Sequence, residues 1–258
     1  MSDYQGKVGQ LVSGIILRFE GQDVRVDLGK TEAIMPHNER IPTERFESGQ
    51  RLAFLLKEIR EGNPLGIAVQ VPRPRELIVS RSDPLFIKKL FEREVPELAS
   101  RSVDIRAIAR DPGIRTKIAV VANTSGVDPV GSCVGQRGVR VQEVIKEVGG
   151  EKIDVIPYTE DAIQFITVAL SPAQNLSIEI DIEKKRAKVT APQDQLSLVI
   201  GRDGQNVRLA TEITGYTIDV VGAQGAPAEE VEKKEAVTED ATSDVQLPVS
   251  EPITDEQV

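Results

Sequence analysis

Two G-x-x-G tetrapeptides, Gly135 to Gly138 and Gly201 to Gly204, stand 66 positions apart in matching surroundings. Each follows a β-branched residue, Val134 or Ile200, and each has a valine six positions after its first glycine, Val141 or Val207. Fourteen positions after that glycine comes another, Gly149 or Gly215, and the segment beyond carries Ile-Asp-Val in both copies. A pattern that recurs at fixed spacing is one supersecondary unit used twice, so the fold must accommodate two similar α/β bodies in tandem.

The elements of each unit follow from periodicity and capping. In the first, Asp83 and Pro84 supply an N-cap and an N1 proline, and Ile87, Leu90, Phe91 and Val95 then share one helical face. Strands SVDIRAI and TKIAVVA are joined by Asp111-Pro112-Gly113. Asp128-Pro129 starts a helix that runs into the loop, and Val141, Val144, Ile145 and Val148 define the next helix, ended by Gly149-Gly150 before the strand KIDVIPY. In the second, Ile163, Ile166 and Leu170 mark a helix, and NLSIEIDI and RAKVTA form a hairpin around Glu183 to Lys185. Asp194 is expected to cap a short helix reaching the loop. Val207, Ala210 and Ile213 then mark a helix, followed by the strand YTIDVV. Both units therefore read α-β-β-α-α-β.

Residues 1–71 have another texture, with short apolar runs separated by turn signals: GQLVSGIILRF, VRVDL, EAIMP, RLAFLLKEI and GIAVQV. Val24, Val26 and Leu28 alternate with Arg25 and Asp27, the period of a half-buried strand. Five such strands predict a small closed barrel over 1–72. Pro72-Arg-Pro-Arg75 marks its boundary, since neither proline can donate to a sheet ladder.

A G-x-x-G between two helices lets an anionic ligand approach, because glycine removes side-chain bulk and the next helix begins there with free N–H groups. Beside an aliphatic groove the expected ligand is a nucleic-acid backbone, as in KH modules, which clamp about four nucleotides. The net charge of −9 speaks against this until it is divided along the chain. Residues 227–258 hold ten acidic residues and two lysines, a net of −8, which leaves −1 for the rest. That tail lacks aromatics and apolar periodicity, so it is expected to be disordered. Around the first loop lie Arg110, Arg115, Lys117, Arg137 and Arg140 against Asp111 and Asp128. In the second unit Arg202 stands beside Asp203, Lys184, Lys185, Arg186 and Lys188 gather on the hairpin, and Arg208 lies one turn into its helix.

Enzyme chemistry finds little support. Gly126 to Gly131 has the glycine spacing of a Walker A loop, but Ser132-Cys133 follow where Lys and Ser/Thr are needed. Cys133 is the lone cysteine, read as a small buried hydrophobe; His37, the one histidine, lies in the other domain at a strand end. No metal-ligand spacing is present and no cofactor is expected. No run approaches the ~18 apolar residues of a membrane span, and MSDYQGKVGQ is not a secretory signal, so a cytoplasmic protein is expected.

DPGIRTKIAVVA, DPVGSCVGQRGVRVQEVIKEVGGEKIDVI and LVIGRDGQNVRLATEITGYTIDVV resemble the two KH domains of the NusA family of bacterial transcription factors. VDLGKTEAIMPHNERIPTERFESGQRL is similar to that family's OB-fold domain of the S-one type. The resemblance implies an α+β multidomain chain. It would comprise a five-stranded OB β-barrel (1–72), two tandem type II KH domains (73–158 and 159–222) and a disordered acidic tail (223–258). It further implies a non-enzymatic factor that binds single-stranded nascent RNA and modulates elongation, pausing, termination and antitermination. RNA polymerase and other elongation or antitermination factors would be its partners. An RNA-decay or ribosome-associated adaptor is the alternative. The family usually begins with a polymerase-docking domain, whereas here Met1 stands directly at the barrel. The RNA-facing positions carried over are Gly135, Gln136, Arg137, Gly138 and Arg140 in the first unit and Gly201, Arg202, Asp203, Gly204, Asn206 and Arg208 in the second. The basic pair Arg115 and Lys117 is expected to join them.

Overall fold

The computed structural model describes residues 2–61 and 75–223. The expected strand at 66–71, the prolines at 72 and 74 and the acidic tail from 224 onward lie outside the described residues.

After a short helix α1 (Ser2–Gln5), the N-terminal part is a closed barrel of five strands in the order β1 (Leu11–Glu20), β2 (Asp23–Asp27), β3 (Glu32–Met35), β5 (Arg75–Ser80) and β4 (Arg51–Glu61). Val24 and Val26 point inward between Arg25 and Asp27, as their alternation requires, and join Ile16, Met35, Phe54, Leu56, Leu77 and Val79 in the core. The strand that closes the barrel among the described residues is RELIVS, which runs parallel to β3 and antiparallel to β4. The sequence reading placed this segment beyond residue 72, in the first KH domain. Its Leu77, Ile78 and Val79 are all buried. Such a continuous apolar run belongs to a strand covered on both faces.

Two α/β units follow. The first comprises α2 (Pro84–Glu94), α3 (Pro96–Ala99), β6 (Val103–Asp111), β7 (Arg115–Ala122), α4 (Pro129–Val134), α5 (Val139–Glu147) and β8 (Lys152–Pro157), with sheet order β6-β7-β8. β7 runs antiparallel to β6 and parallel to β8. The second repeats this with α6 (Ala162–Ala169), β9 (Ser177–Asp181), β10 (Arg186–Ala191), α7 (Leu196–Ile200), α8 (Gln205–Thr214) and β11 (Thr217–Gly222), in the order β9-β10-β11. The Asp83 and Asp128 carboxylates accept from the backbone N–H groups of Leu85 and Val130, the N-caps expected from the sequence. The expected Asp194 cap does not form; residue 195 occupies the N-cap of α7, and Asp194 accepts from its own neighbour Gln195. The helix marked by Ile163, Ile166 and Leu170 forms as α6, with Phe165, Ile166 and Ala169 on its buried face and Ile163 half exposed.

Two buried arginines fasten these bodies together. Arg81 lies between the Phe54 and Phe86 rings and pairs through Nε and Nη2 with both oxygens of Glu44, at 2.7 and 2.6 Å. It also donates to the carbonyls of Ala53 in the barrel and Glu147 at the end of α5. Arg110 pairs with Glu151, both side chains fully buried, and donates to the carbonyls of Arg81 and Asp83. Glu151 in turn accepts from Thr116 and from the Gly113 N–H. Every charged group here makes two or more hydrogen bonds, the condition under which burying charge is tolerated.

Candidate nucleic-acid interface

The two loops have nearly the same backbone. Gly135 has φ 76°, ψ 171° and Gly201 has φ 73°, ψ 175°, a region in practice open only to glycine. The third residue of each loop is left-handed: Arg137 at φ 54° and Asp203 at φ 52°. Gly138 and Gly204, also left-handed, then open α5 and α8. Both loops thus turn sharply and present the first N–H groups of a helix, the arrangement that accommodates an anion.

Their surroundings differ. At the first loop the Arg140 side chain lies across Gly135, where an added Cβ would stand 2.8 Å from its Cγ. Its guanidinium bonds the Glu97 carboxylate at 2.9 Å and the Ser132 carbonyl at 2.6 Å. Gln136 and Arg137 are exposed, and Arg137 makes no ion pair among the described residues. Beside them opens a cavity of about 690 Å³, lined in part by Glu97, Val127, Gly131, Gln136 and Val139. Val139 is 60% exposed, an aliphatic surface next to the loop.

At the second loop the position equivalent to Arg140 is Asn206, which is fully buried. Its Nδ2 lies 3.0 Å from the carbonyls of Leu170 and Leu198, tying the ends of α6 and α7 to the start of α8. Asn206 is therefore a structural residue rather than an RNA-facing one. Arg202 and Asp203 are almost fully exposed and lie 3.7 Å apart. Arg208 is 60% exposed and paired with Asp111 of the first unit. That carboxylate also accepts from Gln205 at 2.9 Å. Asp111, Ile114, Arg202, Asp203, Gln205 and Arg208 enclose a cleft of about 530 Å³.

The basic cluster read around the first loop is mostly neutralised. Lys117 is fully buried, 3.2 Å from Asp154, and burial lowers its pKa against the opposing pull of that carboxylate. Arg115 bonds the same Asp154 oxygen at 2.7 Å, and Arg110 is the buried partner of Glu151. Neither Lys117 nor Arg110 is available to RNA, and Arg115 is largely covered. On the hairpin Lys184, Arg186 and Lys188 face Asp181, Asp219 and Glu179 in exposed ion pairs. Cys133 is buried, as read, and burial pushes its thiol up to about 12, so it stays protonated and unreactive at neutral pH. His37 is exposed at the end of β3, its N–H bonded to Asp23. The sequence does not single out Glu97, Val139 or Gln205, and marks Asp111 only as a turn residue and a counter-charge to the first basic cluster. Asp111 lies 94 positions from Gln205, and only tertiary structure joins them.

Residues 81–158 match the family model of the NusA-like first KH domain, and residues 162–227 match that of the NusA-like second KH domain. This is a NusA-type protein. The chain is 41% identical over 239 residues to "Transcription termination/antitermination protein NusA" of Thermus thermophilus, covering 92% of this chain and 59% of that one. The NusA proteins of Bacillus subtilis and Mycobacterium tuberculosis, which carry the same description, are 37% and 38% identical over 85% and 87% of this chain. The alignments span 57% and 65% of those relatives, so this chain matches less than two thirds of each. A crystal structure of APE1850 overlaps 54% of this chain at 18% identity with a TM-score of 0.40, too slight a likeness to carry weight. The NusA-type pair of KH domains begins directly after β5 and takes in both G-x-x-G loops.

Proposed function

We propose that this chain is a single-stranded RNA-binding transcription factor that acts on nascent transcripts in elongation, pausing, termination and antitermination. The observation that carries this reading is the pair of G-x-x-G loops, alike in backbone and set in KH domains of the NusA type. RNA phosphates would lie along the loops at Gly135 to Gly138 and Gly201 to Gly204, with Gln136, Arg137 and Arg202 as the exposed side chains that meet them. Bases would rest on aliphatic surface such as Val139 and Ile200. The relatives' printed description, transcription termination/antitermination protein, supports a role in transcription. On this reading RNA polymerase and elongation factors are the partners, and the role is non-enzymatic and cytoplasmic. No helix among the described residues is long and apolar enough to cross a membrane.

Titration of labelled single-stranded RNA, with and without Gln136→Asp and Arg137→Asp, tests the binding. Unchanged affinity in the double variant would remove the first loop from the mechanism. Co-purification from cells tests the pathway: RNA polymerase supports the transcription role, whereas nuclease or ribosomal subunits would favour an RNA-decay or ribosome adaptor.

A further inference from the structure

Asp111 contributes a carboxylate of the first KH domain to the loop region of the second. Its Oδ2 receives two converging donors, the Gln205 amide and the Arg208 guanidinium. Arg202 completes the basic lining of the same cleft. A guanidinium and an amide directed at one anionic oxygen are the donors that a phosphate oxygen takes. Among the described residues the first loop has no counterpart of this contact: the position equivalent to Arg208 is Gln142, an exposed residue with no recorded partner.

We propose that the Asp111 carboxylate takes the place of an RNA phosphodiester in this cleft in the free protein, holding Gln205 and Arg208 beside Arg202, so that the first KH domain restrains RNA binding at the second. The inference rests on the RNA-binding role proposed above and concerns how that binding is held back at the second loop. The two partners of the ion pair differ in freedom. Asp111 is 23% exposed and belongs to a turn held on two sides, with the Gly113 N–H bonded to Glu151 and the Gly113 carbonyl facing Thr43 of the barrel. A Cβ at Gly113 would stand 2.2 Å from the Thr43 oxygen, so this turn has no room to shift toward the barrel. Arg208 is 60% exposed on a long side chain and is the group that moves. An incoming phosphate must draw Arg208 and Gln205 away from Asp111 and then remain near that carboxylate. The second domain therefore contributes less to binding than its exposed arginines suggest.

The test is a titration of fluorescein-labelled single-stranded RNA about twelve nucleotides long, enough for two four-nucleotide footprints and a connection. Wild type, Asp111→Asn, Arg208→Gln and the double variant are compared at several salt concentrations. Asparagine keeps an acceptor for Gln205 and Arg208 and removes only the charge. Asp111→Asn should bind about two- to fivefold tighter at low salt, the range of an exposed ion pair. Its log-log salt slope should steepen by about 0.7, one more phosphate contact. Arg208→Gln should change little alone and should cancel the gain in the double variant. Equal or weaker binding by Asp111→Asn, or a gain that survives the loss of Arg208, overturns the proposal. Thermal unfolding of each variant shows whether a weakened variant has merely lost its fold, and Asp111→Ser then repeats the test with a smaller polar side chain. Replacing chloride by inorganic phosphate at equal ionic strength is the arm for a free anion. Binding of that ion with no gain for RNA would also overturn the assignment. Arg137→Asp separates the two readings. If wild type binds and this variant binds more weakly, the RNA role stands and Asp111→Asn alone judges the cleft. A wild type that binds no RNA brings down both.

Discussion

The first loop is braced by Arg140, whose stem lies across Gly135 and whose head reaches Glu97 near the protein surface. The second is braced by Asn206, a short amide sealed beneath the loop among the carbonyls of Leu170, Leu198 and Val199. Both solutions yield the same turn. Backbone shape at such a loop is thus set by its glycines, while the electrostatics presented to a ligand depends on neighbours supplied from elsewhere. Among the described residues Arg137 projects from the first loop without a carboxylate partner, whereas Arg202 and Arg208 face Asp203 and Asp111. One site is exposed and cationic; the other is nearly self-neutralised.

The contrast can be broken most sharply at the leading glycines. In Gly201→Ala the new Cβ would stand 2.7 Å from the Asn206 Cβ and 2.8 Å from its backbone nitrogen, in a backbone conformation reserved for glycine. Strain and overpacking together should cost about 4 kcal/mol in urea unfolding. In Gly135→Ala the nearest atoms belong to the flexible Arg140 side chain, and the cost should be about 2 kcal/mol. Equal losses would show that the two braces are equally rigid.

Removing the braces comes next. Asn206→Ala leaves buried carbonyls short of donors and should lower stability by about 2 kcal/mol. Arg140→Ala, which breaks a pair one-third exposed, should cost less than about 1 kcal/mol. For RNA, Gln136→Asp with Arg137→Asp should weaken binding roughly tenfold at low salt, since the variant both removes a cation and adds two anions. Arg202→Asp, in a loop already neutralised, should weaken it only about threefold. The smallest effect is expected from Asp203→Lys. Its side chain is 92% exposed, so tightening should stay near twofold, read in the same titration. A larger gain would mean that the loop is desolvated in the complex.

These differences were unevenly legible in the sequence. The glycines, the proline-led helices and the inward valines of β2 carry local signals, and those elements form as read. Charge does not announce its partner. Lys117 and Arg110 look like loop cations until Asp154 and Glu151, well downstream, are folded against them. Asn206 was legible in principle, because positions 206, 210 and 213 fall on one helical face with Ala210 and Ile213, both buried. Its place beside a loop drew attention to RNA instead. The barrel boundary was misplaced because prolines mark the edge of a strand as readily as the end of a domain.

The Arg81 cluster bears on how such a chain can diversify by recombination. Arg81 directly follows the last barrel strand, and its five donors are shared among Glu44, the Ala53 carbonyl and the end of α5. A hybrid joined after Arg81 would forgo only the arginine's contacts to Glu147, whereas one joined ahead of it would leave the buried Glu44 carboxylate without its partner, a loss of about 3–5 kcal/mol. That is a large share of what keeps an ordinary domain folded. Arg81 is therefore expected to be inherited with the barrel, a crossover ahead of it being tolerated only when Glu44 is exchanged at once.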